Sequence, residues 1–196
     1  MRKRLFAPLA AVLFTATLGS AAPASDPPEC VVAQRWVAAH RGALPATLPA
    51  LSRYSLAYRR AIYDVLPATA RESLWRQQLN GVLQGDRTLT DAQRATVREM
   101  LAQLPALTAH QTDRAAADRL RARLTAEFGR DGYRRVFGVL GPVPERQNTT
   151  AARQPLCNCE DDGDCEGGTC GFTRCSFTEG CGPFWSYTCT GFCKFT

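Results

Sequence analysis

Apolar residues recur along the first two thirds of the chain at three- and four-residue intervals, the period of helices with one buried face. From Cys30 to His40 the pattern is carried by Val31, Val32, Trp36 and Val37. Leu51, Tyr54, Tyr58, Ala61, Ile62 and Val65 continue it. Pro67 interrupts, and a further helix is predicted from Ala68 to Leu83 with Leu74, Trp75, Leu79 and Leu83 inward. Thr90 or Asp91 offers a side-chain oxygen to the free amides of the next helix. That helix has the stripe Val97, Met100, Leu101 and Leu104, and Pro105 is expected to end it. Arg114 to Phe128 supplies one more, with Leu120, Leu124 and Phe128, before a short apolar piece at Tyr133, Val136, Phe137 and Leu140. No alternation of period two competes over this span. The expected fold class is therefore mainly α here, four or five helices around one modest core.

The pattern fails at both ends. Arg2, Lys3 and Arg4 precede an apolar stretch from Leu5 to Leu18, and small residues follow it. That order belongs to an export signal, with Ala22-Pro23-Ala24 as the cleavage site and the cut expected after Ala24. The stretch is shorter than the roughly 20 residues of a membrane-spanning helix, and no later segment is apolar enough to span one. The expected location is secreted, extracellular or periplasmic, where disulfides persist. After Leu140, Gly141-Pro142-Val143-Pro144 breaks the helical pattern, and Glu145 to Pro155 hold no large apolar residue. This is a linker by composition, and it reads either as a plain interdomain linker that is never cut or as a site that Arg146 and Arg153 offer to a processing protease. Asn148-Thr149-Thr150 matches a glycosylation acceptor. The expected organisation is a signal peptide at 1–24, a helical pro-region at 25–140, a linker at 141–156 and a small module at 157–196.

Cysteine usage sets the module apart. Eight of nine cysteines fall there: Cys157, Cys159, Cys165, Cys170, Cys175, Cys181, Cys189 and Cys193. Their spacing is C-x-C-x5-C-x4-C-x4-C-x5-C-x7-C-x3-C. Forty residues bury too little apolar surface to offset chain entropy of roughly 1–2 kcal/mol per residue. Cross-links of about 2–4 kcal/mol each are the usual remedy. Little regular secondary structure is expected in such a module. Spacing does not choose the pairing, beyond excluding the strained ring that Cys157 and Cys159 would close together. Cys30 has three options: a free thiol, an intermolecular link, or a bond to one module cysteine. Because eight cysteines already close four bridges, the first two are favoured. Zinc fits poorly, since the module has no histidine and no C-x-x-C pair. The run Glu160-Asp161-Asp162-Gly163-Asp164 lacks the alternate-position spacing of a calcium loop and reads as a solvated acidic turn. No metal or cofactor is expected.

Charge divides the chain the same way. Residues 25–156 hold 19 basic and 12 acidic side chains, a formal +7, whereas residues 157–196 hold two and six, a formal −4. Intramolecular contact between the basic half and the acidic module follows from that asymmetry. Nucleic acid is not an expected partner, because the arginines alternate with acids instead of forming a stripe. Arg35, Arg59, Arg60 and Arg71 read as solvated helix faces, and Trp36 and Trp75 as core aromatics. His40 and His110 share no ligand spacing, and no phosphate loop, nucleophile elbow or nucleophile–base pair points to an enzyme. The module carries seven aromatics, more than so small a fold encloses. Some are expected to face outward, and Phe184, Trp185 and Tyr187 are the candidates for target binding.

One set of residues resembles a known family. Cys157-Asn158-Cys159, Cys175-Ser176-Phe177-Thr178, Gly180-Cys181-Gly182, Trp185, Tyr187 and Cys189 are similar to the fulvocin C-related bacteriocins. In the helical half, Tyr58-Arg59-Arg60-Ala61-Ile62 and Leu74-Trp75 resemble that family's N-terminal region. Several inter-cysteine spacings depart from its pattern, and the module is more acidic than a membrane-seeking peptide usually is. The resemblance implies an exported precursor whose module acts on a bacterial envelope component or a protein target. It also implies cleavage in the linker, with a helical pro-region that assists folding or masks the module. The alternative is a protease-inhibitor or other binding module on a helical stem, with Arg174 presented between two cysteines.

Overall fold

In the computed structural model the described residues are 29–109, 113–143, 157–159, 169–171, 178–189 and 191–194. They are mainly helical. The helices are α1 (Glu29–Ala39), α2 (Leu48–Leu51), α3 (Leu56–Val65), α4 (Ala68–Gly85), α5 (Asp91–Leu107) and α6 (Arg114–Tyr133). A π-helix at Arg134–Gly138 continues α6. The described part of residues 157–196 forms short strands: β1 (Cys157–Cys159), β2 (Thr169–Gly171), β3 (Thr178–Cys181), β4 (Tyr187–Cys189) and β5 (Gly191–Lys194). The antiparallel order β1-β5-β2 makes one sheet, and β3-β4 makes a hairpin.

Local chemistry accounts for the helix ends. Thr90 accepts from the Gln93 amide while the Gln93 side chain accepts from the Thr90 amide, a reciprocal cap that starts α5. Pro105 does not end that helix as expected. It sits in the last turn, where a missing N–H costs one bond, and the helix runs on to Leu107. Thr108 then closes it by donating both its amide and its hydroxyl to the Leu104 carbonyl. Leu51 and Val65 were expected on one helical stripe. Instead Leu51 belongs to the one-turn α2, the chain re-enters a helix at Leu56, and Val65 stands 41% exposed. Gly129 at φ 69° separates the body of α6 from the piece leading to the π-helix.

A single apolar cluster fills the centre. Leu74, Trp75 and Leu79 of α4 meet Val97, Met100 and Leu104 of α5, Leu124 of α6, and Val136, Phe137 and Leu140 beyond it. Ile62 and Tyr63 of α3 close another side. Two residues from the far end of the chain, Phe184 and Trp185, complete the same cluster. The helical half and the β3-β4 hairpin therefore share one core.

Carboxylates fasten the outside. Asp86 Oδ1 accepts from the Thr88 amide and hydroxyl at 2.9 and 2.6 Å, and Arg135 reaches Oδ2 at 3.2 Å. The Thr88 bonds, helped by Arg135 and Arg94, hold the Asp86 carboxyl below its ordinary range; Arg123 does the same for Glu99. Depressed carboxylates add stability that is present above their unfolded values and lost as pH falls through the folded ones. Denaturant midpoints should therefore be level from pH 7 to about 5 and fall below about 4. Asp86→Asn should lower the neutral midpoint and shallow that acid slope; an unchanged slope contradicts the assignment.

Candidate functional site: an aromatic turn in a helical receptor

The site is built around Gly182-Pro183-Phe184-Trp185-Ser186-Tyr187, the turn that joins β3 to β4. Cys181 lies opposite Tyr187 in the hairpin register, so the strands fix both ends of the turn. Pro183 follows Gly182, and Phe184 and Trp185 both take left-handed backbone angles, φ 58° and 52°. Amides of Trp185 and Ser186 close on the carbonyls of Gly182 and Pro183, each at 3.2 Å. Left-handed angles at two bulky residues cost about 1–3 kcal/mol each. Such strain persists only where something larger opposes it.

Burial is that larger effect. Phe184 and Trp185 are 0% exposed. At about 25 cal/mol per Å² over some 150–250 Å² of ring surface, burial stabilises each by roughly 4–6 kcal/mol. The rings are received edge to face. Phe184 meets Trp75 at 5.3 Å and Phe137 at 5.7 Å between centroids, and Trp185 meets Tyr63 at 5.1 Å and Trp75 at 6.0 Å. Polar atoms fix the orientation. The Trp75 indole donates to the Tyr63 hydroxyl at 3.2 Å, and that hydroxyl donates to the Phe184 carbonyl at 3.2 Å. Trp185 Nε1 donates to the Gly138 carbonyl at 3.0 Å. The π-helix leaves that carbonyl, at its C-terminal end, open to the indole.

Arginines line the rim. Arg60 lies 5.8 Å from the Trp185 ring, and Arg114 stands 4.1 Å over the half-exposed Tyr187 ring. Arg121 donates to the Tyr187 hydroxyl and also pairs with Asp118 at 3.0 Å. Each cation over a ring adds about 0.5–1 kcal/mol. Behind the site, Arg59 is only 2% exposed and donates to the carbonyls of Leu140 and Pro142. Burial pushes its guanidinium down to about 10, still charged at neutral pH. Gln78 donates to the Val136 and Val139 carbonyls at 3.1 and 2.8 Å and accepts from the Gly141 amide at 2.7 Å. Together Arg59 and Gln78 hold the π-helix where its carbonyl meets Trp185, and they clamp the chain through Pro142.

These positions revise several expectations. Phe184 and Trp185, expected on an outward binding surface, are enclosed by helices because the helical half supplies the interior that the module lacks. Tyr187 keeps partial exposure but is covered by two arginines. Arg59 and Arg60, expected as solvated, are buried, whereas Arg35 is exposed. Trp75 is a core aromatic, as its position in the stripe implies. Trp36 packs at the margin, with His40 stacked on it at 4.3 Å and Tyr54 and Tyr58 beside it. Tyr63 and Gln78 were missed as functional residues, and one signal for them exists. Arg59, Arg60 and Gln78 lie among apolar neighbours in helices, where a polar residue implies a specific buried partner.

Cys30 and Cys181 are both buried and disulfide-bonded. Of the free or intermolecular cysteine expected at position 30, the free thiol is thus replaced by a bond. Cys165, Cys175 and the side chains of Cys157, Cys159, Cys170, Cys189 and Cys193 lie outside the described residues. So do the 1–28 segment, Asn148, Glu160–Asp164 and Arg174. Among the described residues no cluster of histidine, cysteine and carboxylate fits a metal, and no helix is long and apolar enough to cross a membrane. A shallow groove of about 560 Å³ runs beside α4 past Gln77, Gly81, Asp86, Arg135 and Pro142, and its Asp86 and Arg135 are paired with each other. Comparison with family models, curated proteins and solved structures finds no match.

Proposed function

We propose that the chain is an exported, non-enzymatic, bacteriocin-like precursor whose helical half holds the cysteine-rich module inactive by enclosing its aromatic turn. The observation that carries this reading is the complete burial of Phe184 and Trp185 among α3, α4 and the π-helix. Exposed aromatic side chains are what a small stapled peptide has for gripping an envelope component or a protein target. In the intact chain those side chains are occupied. The resemblance of the module to the fulvocin C-related bacteriocins supports the same reading, as does the arginine- and proline-marked segment that follows Val143. Cutting that segment gives two pieces, and only the smaller carries the turn.

Mass spectrometry of culture medium tests the processing step. The expected result is a fragment that begins between residues 144 and 157. A full-length chain alone argues against cleavage. Growth assays test the activity: the separated module should inhibit bacteria while the intact chain at equal concentration does not. A separated module that inhibits nothing removes the toxin reading.

A further inference from the structure

We propose that the corner formed by α1, α2 and the start of α3 docks on an anionic phospholipid surface through Trp36, Tyr54, Tyr58 and three exposed arginines. This surface is separate from the receptor for the turn and does not depend on the precursor reading. Charge singles it out first. From Cys30 to Tyr63 the chain has five arginines and no acidic residue. From Asp64 to Val143 it has twelve arginines and nine acids, so the alternation of sign begins only there. In the first stretch Arg59 and Arg60 are buried, whereas Arg35, Arg41 and Arg53 are exposed. Among the described residues no carboxylate pairs with these three, while Arg76, Arg121, Arg123 and Arg135 further along each have one. Glu29, the acid just before the stretch, accepts from the Ser55 hydroxyl at 2.5 Å.

The same arginines adjoin a ring cluster at the edge of the main core. Trp36 meets Tyr54 at 5.3 Å and Tyr58 at 5.7 Å between centroids, and all three are half-buried. Arg35 precedes Trp36, Arg53 precedes Tyr54, and Arg41 follows His40, whose ring stacks on Trp36 at 4.3 Å. One helical turn before Trp36, Val32 is 38% exposed. Amphipathic rings, an exposed aliphatic side chain and neighbouring cations make up a surface that settles at the headgroup level of a bilayer. Arginine suits the lipid phosphate, because its planar fork makes two parallel hydrogen bonds to it. Ring geometry tells against single-stranded nucleic acid. His40 covers one face of Trp36, and Tyr54 and Tyr58 stack on each other at 6.2 Å and 27°, so little open face is left for bases. An acidic protein segment would use the arginines and leave Val32 and the rings without a role.

Co-sedimentation of the full oxidised chain with vesicles tests this surface. The vesicles are phosphatidylcholine alone, or phosphatidylcholine with about one third phosphatidylglycerol. The chain should bind the anionic vesicles, ignore the neutral ones, and come off in about 0.5 M salt. Each arginine should count for about fivefold, so Arg35→Gln/Arg41→Gln/Arg53→Gln should weaken binding by on the order of 100-fold. Arg98→Gln/Arg119→Gln/Arg130→Gln removes the same charge from exposed positions on α5 and α6 and should cost less than about tenfold. Helical circular dichroism should match the parent in both. Trp75 and Trp185 are 0% exposed, so brominated lipid should quench the fluorescence of Trp36, and Trp36→Phe should abolish that quenching. Equal binding to neutral vesicles, equal loss in the two triple variants, or no quenching of Trp36 overturns the proposal. A parent that ignores the vesicles but binds polyaspartate or single-stranded DNA through the same three arginines has a different occupant and overturns it as well.

Discussion

Trp185→Ala is expected to destabilise the helical half by about 3–5 kcal/mol, although residue 185 lies in the cysteine-rich end of the chain. The deleted ring leaves a cavity bounded by Tyr63 and Trp75, and the Gly138 carbonyl loses its indole donor. The readout is helical circular dichroism in a denaturant series, because the strands contribute little to it. If the two parts were separate units, a module substitution would leave the helical midpoint where it was. A shift below about 0.5 kcal/mol contradicts the shared core. Trp185→Phe keeps most of the volume and removes the hydrogen bond. Its expected loss is smaller, about 1–2 kcal/mol. Trp36→Phe, at the margin of the core, serves as a control and should cost less than either.

Gly182→Ala should be the other severe substitution. Gly182 has φ 73° and ψ −178°, a backbone region that side chains essentially never enter. An added Cβ would also run into the Tyr187 ring at Cε1. That ring is not free to swing aside, because Arg114 covers its face at 4.1 Å and Arg121 binds its hydroxyl. Backbone strain and overpacking together give an expected loss of about 2–5 kcal/mol. The double variant Gly182→Ala/Tyr187→Ala separates the two causes. It should recover the steric part and keep the conformational part, so the effects of the single changes should not add. A Gly182→Ala chain as stable as the parent would show that the turn takes another conformation.

Much of the helical half is legible from periodicity because its stripes are long and its caps local. Thr90 with Gln93 is a signature readable three residues apart, and the run from Leu74 to Leu79 faces inward as its spacing implies. Errors arise where tertiary partners decide. Tyr63 is buried and Val65 is not, because the hairpin covers one side of α3 and nothing comparable among the described residues covers Val65. Arg59 and Arg60 look like solvated charges until the carbonyls of Leu140 and Pro142 and the Trp185 ring are brought to them. The aromatic turn is misjudged for a related reason. Reckoned alone, forty residues have no interior for Phe184 and Trp185, and composition cannot say that another hundred residues lend them one. Cys30 illustrates the same limit, since parity shows that nine cysteines cannot all pair but not which one is bonded.

Hydrogen exchange read by mass spectrometry on the intact oxidised chain tests most directly that the helices receive the turn. The amides of Trp185 and Ser186 should exchange as slowly as those of α3 and α4, and Trp185→Ala should speed all three regions together. Rapid exchange across residues 182–187 while α3 and α4 stay protected would contradict the account.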